Sequence, residues 1–196
     1  MTAFPETRLL AADLLLRPFS ASDIEENQIA CADPLIQQWL PLPQPYTRQD
    51  SADWCTKISH SLRETGDGIH FAIVDADTDR LLGTVGLKKT DWHGLVSEVG
   101  YSVAPWARGR GIAAEATRSV GHWLLVDHGF QRMELKAATG NLASQRTALK
   151  AGLQREGIMR NAGFTHAGRV DLVLFSLTPD DLKLQADHDG QPMEIR

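Results

Sequence analysis

"SVAPWARGRGIAAEAT", residues 102–117, changes character three times within a short span. A strand-like segment stops at Pro105, Arg108-Gly109-Arg110-Gly111 follows, and small apolar residues of helical period come next. A strand that hands over to a helix in this way is suited to holding an anion. The helix N-terminus exposes unpaired amides and a partial positive charge. Gly109 and Gly111 let the backbone approach a ligand without a Cβ in the way, and Arg108 and Arg110 add forked donors that match phosphate oxygens. The same letters also describe a tight turn whose arginines merely face water.

Working outward, Val99, Tyr101 and Val103 alternate with Glu98, Gly100 and Ser102, the period of a strand with two different faces. Upstream, residues 69–75 and 81–89 read as strands joined by Ala76-Asp77-Thr78-Asp79, and 91–94 is a second turn. Downstream, Ile112, Ala116, Val120 and Trp123/Leu124 share one helical stripe, closed at Gly129. Residues 132–138 predict a strand, 142–150 a helix capped at Gly152, and 153–158 and 170–177 two closing strands. Toward the N-terminus, residues 9–19 read as a single strand. Ser22-x-x-Glu25 has the form of a capping box. Helices are expected over about 23–30, 34–40 and 48–63, broken by the proline-rich loop 41–46. Three hairpin-linked strands in the middle exclude a purely parallel doubly wound sheet, so the reading is a mixed α/β layer.

With 196 residues, 42% hydrophobic and 23% charged, the chain predicts one domain over residues 1–177 and a polar tail, partly disordered, over 178–196. A net charge of -5 argues against a nucleic-acid partner, so any anion site is local. No apolar run approaches ~18 residues and no leader pattern opens the chain, which predicts no membrane partner and a cytoplasmic protein. Cys31 and Cys55 have no metal spacing and read as structural thiols. His122 and His128 are wrongly spaced for a helical metal pair, so no metal is expected.

Which anion is the next question. No lysine follows the glycines as a Walker loop requires. Gly109-x-Gly111-x-x-Ala114 half satisfies a dinucleotide fingerprint, but it follows a hairpin meander and lacks the parallel strand–helix–strand context.

Arg108-x-x-Gly111-x-Ala113, at the end of a strand containing Glu98-Val-Gly-Tyr101, resembles the acetyl-CoA motif of GNAT-superfamily N-acetyltransferases. LLLRPFSASDIE, PLPQPYTRQDSADW, GNLASQRTALKAGLQREG and the closing Asp171-Leu-Val-Leu-Phe175 resemble the RimJ/RimL branch, in order, over residues 9–177. The resemblance implies a mostly antiparallel sheet of about six to seven strands, splayed at its middle, with helices on both faces. It implies that the CoA pyrophosphate rests on amides from Arg108 through Gly109, Arg110, Gly111, Ile112 and Ala113. The pantetheine would then lie where strand 96–103 parts from strand 132–138, bonded to backbone near Val103. Asn141 would contact the pantetheine or acceptor.

Acetyl transfer to an amine needs a deprotonated amine, a held oxyanion and a donor for the departing sulfur. The family reading implies direct transfer from acetyl-CoA to a primary amine, either a protein N-terminal α-amine or a small molecule. Ser144 would face the sulfur; where many of the superfamily carry a tyrosine acid, this chain has Ala148. Asn141 and Ser144 read equally well as the cap and first turn of a helix. Glu98 is the candidate general base, and alternatively a polar edge carboxylate. Glu115 reads as a structural helix residue. Trp39, the loop 41–46 with Tyr46, Trp54 and the loop 158–166 are expected to frame the acceptor; the aromatics among them read equally as core packing, Trp54, in a helix, the more so. An α-amine, with a reference pKa of ~7.7–8.0 against ~10.4 for lysine, leaves a base little to do. A catalytically silent acyl-CoA sensor or interaction module would share the same loop, and the sequence leaves room for a homodimer.

Overall fold

The structure, a computed structural model, describes residues 2–183; of the expected tail, residues 184–196 lie outside the described residues. One eight-stranded sheet runs through the molecule. It comprises β1 (Leu9–Ala11), β2 (Leu14–Arg17), β3 (Ile69–Asp75), β4 (Leu81–Asp91), β5 (Val96–Val103), β6 (Arg132–Ala138), β7 (Gln154–Thr165) and β8 (Gly168–Leu177). The spatial order is β1-β2-β3-β4-β5-β6-β8-β7. Every neighbouring pair is antiparallel except β5 and β6. The helices are α1 (Ile24–Cys31), α2 (Pro34–Trp39), α3 (Arg48–Asp53), α4 (Ser59–Thr65), α5 (Ile112–His122) and α6 (Leu142–Lys150).

The alternation along β3 shows why both faces of the sheet are covered. Ile69, Phe71 and Ile73 join the main core, which the Ile112, Ala116, Val120 and Leu124 stripe completes from the other side. Ala72 and Val74, pointing the opposite way, meet Phe19, Cys55 and Trp54 in a second cluster. Trp54 packs edge-on against His70 there, a core role as expected.

Three sequence expectations are corrected. Residues 9–19 are not one strand: Ala12 takes φ +54° and folds the segment into the β1–β2 hairpin, which gives the eighth strand. The capping box is Ser20/Asp23, two residues earlier than Ser22/Glu25. Asp23 accepts from the Ser20 amide at 2.8 Å while its carboxylate is gripped by Arg17 at 2.8 Å, so the helical start is fixed at Ser20. The supposed loop 158–166 is almost entirely strand. β7 runs to Thr165 because two irregularities, at Arg155/Gly157 and Met159/Gly163, absorb residues that break a regular pleat. Beyond β8, the Thr178 amide and hydroxyl both donate to Asp181 at 2.8 Å and start a short helical turn.

The feature that positions the site is the seam between β5 and β6. Pairing holds only for Val96↔Arg132, Ser97↔Met133 and Glu98↔Glu134; beyond Glu98 the two strands part.

Candidate active site

The parted strands open a cleft of about 770 Å³. One wall is the free edge of β5 from Gly100 to Val103, and the facing wall is β6 with the first turn of α6. At the mouth, Ala104 donates to the Leu82 carbonyl and the Trp106 indole to the Leu81 carbonyl, both at 2.9 Å, anchoring the turn Pro105–Ala107 to β4. The chain then passes through Gly109 (φ +79°) and Gly111 (φ +78°), left-handed values that disfavour any residue with a Cβ. A Cβ built on either glycine meets nothing within 4 Å, so both face open space. Gly111 stands at the N-cap of α5 and supplies no side-chain cap. Ala114 and Glu115 return their amides to the Gly111 carbonyl, whereas Ile112 and Ala113 precede them and have no carbonyl a turn earlier to use. The donor set is therefore a run of backbone amides on an open, left-handed loop, which fits a pyrophosphate. The Arg108 guanidinium is turned aside to Asp33, which also accepts from the Leu35 and Ile36 amides to cap α2.

On the facing wall, the Asn141 side chain accepts from the Ser144 amide at 3.0 Å and caps α6. Tyr101 reaches across the opening from β5. Its phenol donates to the Ser144 carbonyl at 2.9 Å and lies 3.1 Å from Ser144 Oγ. Burial raises the Tyr101 pKa above the ordinary phenol value, keeping it protonated. Ala148 is fully buried in the main core, so the position offers nothing to the cleft.

Glu98 lies at the apex, where the strands begin to part, and is 7% exposed. Three ammonium groups surround its carboxylate: Lys88 at 3.1 Å, Lys136 at 3.1 Å and Lys89 at 3.4 Å. Burial alone would raise its pKa, but Lys88 and Lys136 outweigh that and hold it below the ordinary carboxylate value. A carboxylate so stabilised is a weak proton acceptor, which counts against Glu98 as the general base.

Val103, Arg108, Gly109, Arg110, Gly111, Ile112, Ala113, Asn141, Ser144, Glu98 and Trp39 all line this one cleft. The Trp39 ring closes on Gly140, 3.2 Å from where a Cβ would stand. Tyr46 is not brought there. It is 8% exposed and packs inward toward α1, its hydroxyl 3.5 Å from the Asn27 side-chain amide, and it does not line the cleft. Of the two segments expected to frame the acceptor, 41–46 contributes Pro41 to the cleft lining and 158–166 contributes Met159 and Phe164, with Leu172 of β8 beside them; the His166 ring lies 2.9 Å from the Leu42 carbonyl. Sequence reasoning missed Tyr101, Lys88, Lys89 and Lys136. Tyr101 and Ser144 are 43 positions apart, and no local pattern links them. The thiols of Cys31 and Cys55 are buried outside the cleft and pushed up by that burial to about 11 and about 12. Among the described residues no three His, Cys, Asp or Glu side chains gather as a metal site would need.

A sheet parted at a parallel seam, with an open run of backbone amides leading into the helix that follows, is an architecture this chain shares with known proteins. The comparisons name it. The family model for the acetyltransferase (GNAT) domain matches residues 13–154. A Bacillus subtilis protein described as "Probable N-acetyltransferase YjcK" is 32% identical over 174 residues, covering 86% of this chain and 96% of that protein. The ribosomal-protein-serine acetyltransferase of Escherichia coli is 23% identical over 72% of this chain and 78% of its own. Among solved structures, Mycobacterium smegmatis RimJ in complex with CoA-disulfide superposes with a TM-score of 0.78 at 17% identity, covering 93% of each chain. The chain belongs to the GNAT acetyltransferase family.

Proposed function

We propose that the protein transfers the acetyl group of acetyl-CoA directly to a primary amine, with no acetylated protein side chain between. The observation that carries this reading is the opening of the β5 edge beside the amide cradle of α5, which together match the two ends of one extended ligand. The amides from Gly109 through Ala113 hold the pyrophosphate, and the unpaired β5 edge near Val103 offers strand-like bonds to the pantetheine arm. Acetyl-CoA supplies an activated thioester; the chain supplies alignment and hydrogen bonds. The amine nitrogen forms the new N–C bond, the C–S bond breaks, the surplus amine proton leaves to water, and the sulfur accepts a hydrogen bond from Ser144.

Ser144 is a poor acid by itself, and its partner explains how it serves. When the Tyr101 phenol turns its proton from the Ser144 carbonyl to Ser144 Oγ, the serine proton is freed toward the cleft. Tyr101 is thus a positioning residue for Ser144. The caged Glu98 leaves deprotonation to the acceptor's own pKa. At neutral pH an α-amine has a several-hundred-fold larger neutral fraction than a lysine side chain, on reference values of ~7.7–8.0 and ~10.4. A protein N-terminus or another low-pKa amine is therefore the acceptor this site suits.

Release of free CoA thiol, followed with a panel of N-terminal peptides, amino acids and polyamines, tests the reading. Amine-dependent release is expected. Release with none of these amines, despite acetyl-CoA binding, would instead favour a silent acyl-CoA-binding module.

A further inference from the structure

The cleft is far more basic than the protein that contains it. Seven of the eight charged side chains lining it are Lys or Arg, in a chain whose net charge is -5. Four of them, Arg108, Arg110, Arg146 and Lys150, stand at the cradle end, on the loop before α5 or along α6, with the Arg108 guanidinium paired to Asp33. Lys88, Lys89 and Lys136 do not. They sit at the opposite end, around the apex where β5 and β6 part.

A structural ion pair for Glu98 would need one lysine; three are supplied. Lys136 also bonds Glu134 at 3.0 Å, but that carboxylate is already held by Arg132 at 2.8 Å, and Arg132 in turn holds Glu156 at 2.6 Å. The whole connected network therefore retains excess positive charge. The backbone is bent to produce it. Successive residues of a strand point to opposite faces, so Lys88 and Lys89 should diverge. Instead Lys89 takes φ +52°, disfavoured for a residue with a Cβ, and the β4–β5 register breaks between Lys88 and Asp91. Both ammonium groups consequently converge on one carboxylate. Lys88 reaches it by lying over Gly100, whose Cβ, if present, would stand 3.7 Å from Lys88 Cε and Nζ. The Lys89 side chain remains 71% exposed, with donors to spare.

We propose that the acceptor carries a carboxylate close to its reactive amine and docks that carboxylate on Lys88, Lys89 and Lys136; this rests on the acetyltransferase reading above. Glu98 then serves to hold the three lysines together rather than to take a proton. The cluster attracts the acceptor's anionic end and repels a protonated amine, favouring the neutral nucleophile. Polyamines and aminoglycosides, with several positive charges and no anion, are selected against by the same field. Apolar flesh on the acceptor has Trp39, Met159, Phe164 and Leu172 to lie against. A carboxylate of this kind has two sources, the α-carboxylate of a free amino acid or an acidic side chain just after a peptide N-terminus.

The test compares kcat/KM on the full chain for the peptide amides Ser-Glu-Glu-Tyr, Ser-Gln-Gln-Tyr and Ser-Lys-Lys-Tyr, for L-serine against serinamide, and for spermidine. The acidic peptide is expected to exceed the basic one by about tenfold or more at low salt, with the gap narrowing as ionic strength rises. A serine-over-serinamide preference without a peptide preference assigns the carboxylate to a free amino acid. Lys89→Gln, an exposed position whose loss spares the fold, should shrink the preference several-fold while leaving CoA affinity unchanged. Turnover that is equal for all charges, or better with the basic peptide or spermidine, overturns the inference while leaving the acetyltransferase reading intact. If no amine is acetylated, that reading fails, and the charge question is read from peptide binding to the CoA-loaded protein. Acidic over basic binding upholds the lysine site, and equal binding overturns it.

Discussion

Replacing Gly111 by alanine separates the cofactor cradle from ordinary backbone strain. Gly111 takes φ +78° and its missing Cβ would meet nothing within 4 Å. The free protein thus suffers no clash, only the left-handed penalty, about 1–2 kcal/mol. For a chain of this size that lowers Tm by roughly 2–8 °C, at about 2–4 °C per kcal/mol. The new methyl, however, adds bulk in open space on the loop next to Ile112 and Ala113, whose amides are proposed to take the pyrophosphate. Losing two charge-assisted bonds at about 1.5–3 kcal/mol each weakens CoA binding by roughly two to four orders of magnitude. Gly129 is the matched control. It has φ +69°, its Cβ space is equally open, and it lies beyond the other end of the α5 helical segment. Gly129→Ala should carry a similar loss of Tm and no loss of CoA affinity. Thermal melts with and without CoA, together with calorimetric titration, read both quantities. If Gly111→Ala and Gly129→Ala melt alike and bind CoA alike, the cradle has been assigned to the wrong loop.

Ser144→Ala should lower kcat by about 10²-fold, the scale for losing one aimed donor, with CoA affinity retained; unchanged turnover would return Ser144 to a first-turn residue. Tyr101→Phe removes the bonds to the Ser144 carbonyl and hydroxyl, so turnover should drop by about tenfold and stability by about 1 kcal/mol. Should kcat hold while stability falls, the phenol is a strap between β5 and α6 and nothing more. Glu98→Gln distinguishes a cage from a base: a base predicts a loss of about 10²–10⁴ in kcat/KM, whereas a lysine holder predicts a smaller loss concentrated in acceptor KM. The same variant changes acid stability with a defined sign. Burial works against the Glu98 charge, but Lys88 and Lys136 hold its folded pKa below the unfolded value, so the unfolded chain binds the extra proton. The stabilisation is present above the unfolded glutamate pKa of about 4.3 and disappears as pH falls through the folded value. Urea melts from pH 6 downward should therefore lose less stability in Glu98→Gln than in the native protein.

What was legible in the sequence was what periodicity and backbone permission encode. The Ile112–Ala116–Val120–Leu124 stripe is the inner face of α5 and of the helical turn that continues it, and Gly109 and Gly111 occupy conformations that their letters advertise. The short turns that link β3, β4 and β5 mark those strands as antiparallel neighbours. Illegible features were those set by partners distant in the chain. Asp23 rather than Ser22 or Glu25 organises the first helical turn because Arg17 grips it from β2 and Asp79 holds Arg17 from the far turn. Ala12 has no turn-forming letter of its own; it takes its left-handed φ in the two-residue turn closed by the Ala11↔Leu14 pair of β1 and β2. Tyr46 looked like a cleft aromatic because the prolines around it promise an exposed loop, yet Asn27 and Cys31 of α1 receive the ring. The lysine cage around Glu98 was illegible because strand alternation hides Lys89, which reaches the carboxylate only through a bulge that no alternating pattern predicts.

The most direct test is a single turnover: protein loaded with an equimolar amount of acetyl-CoA, mixed with an N-terminal acidic peptide, and quenched for intact-mass analysis of peptide and protein together. Direct transfer predicts acetylated peptide and free CoA in equal amounts, with the protein mass unchanged at every time point. Acetyl appearing on the protein before the peptide, or CoA released without any acetylated amine, would contradict it.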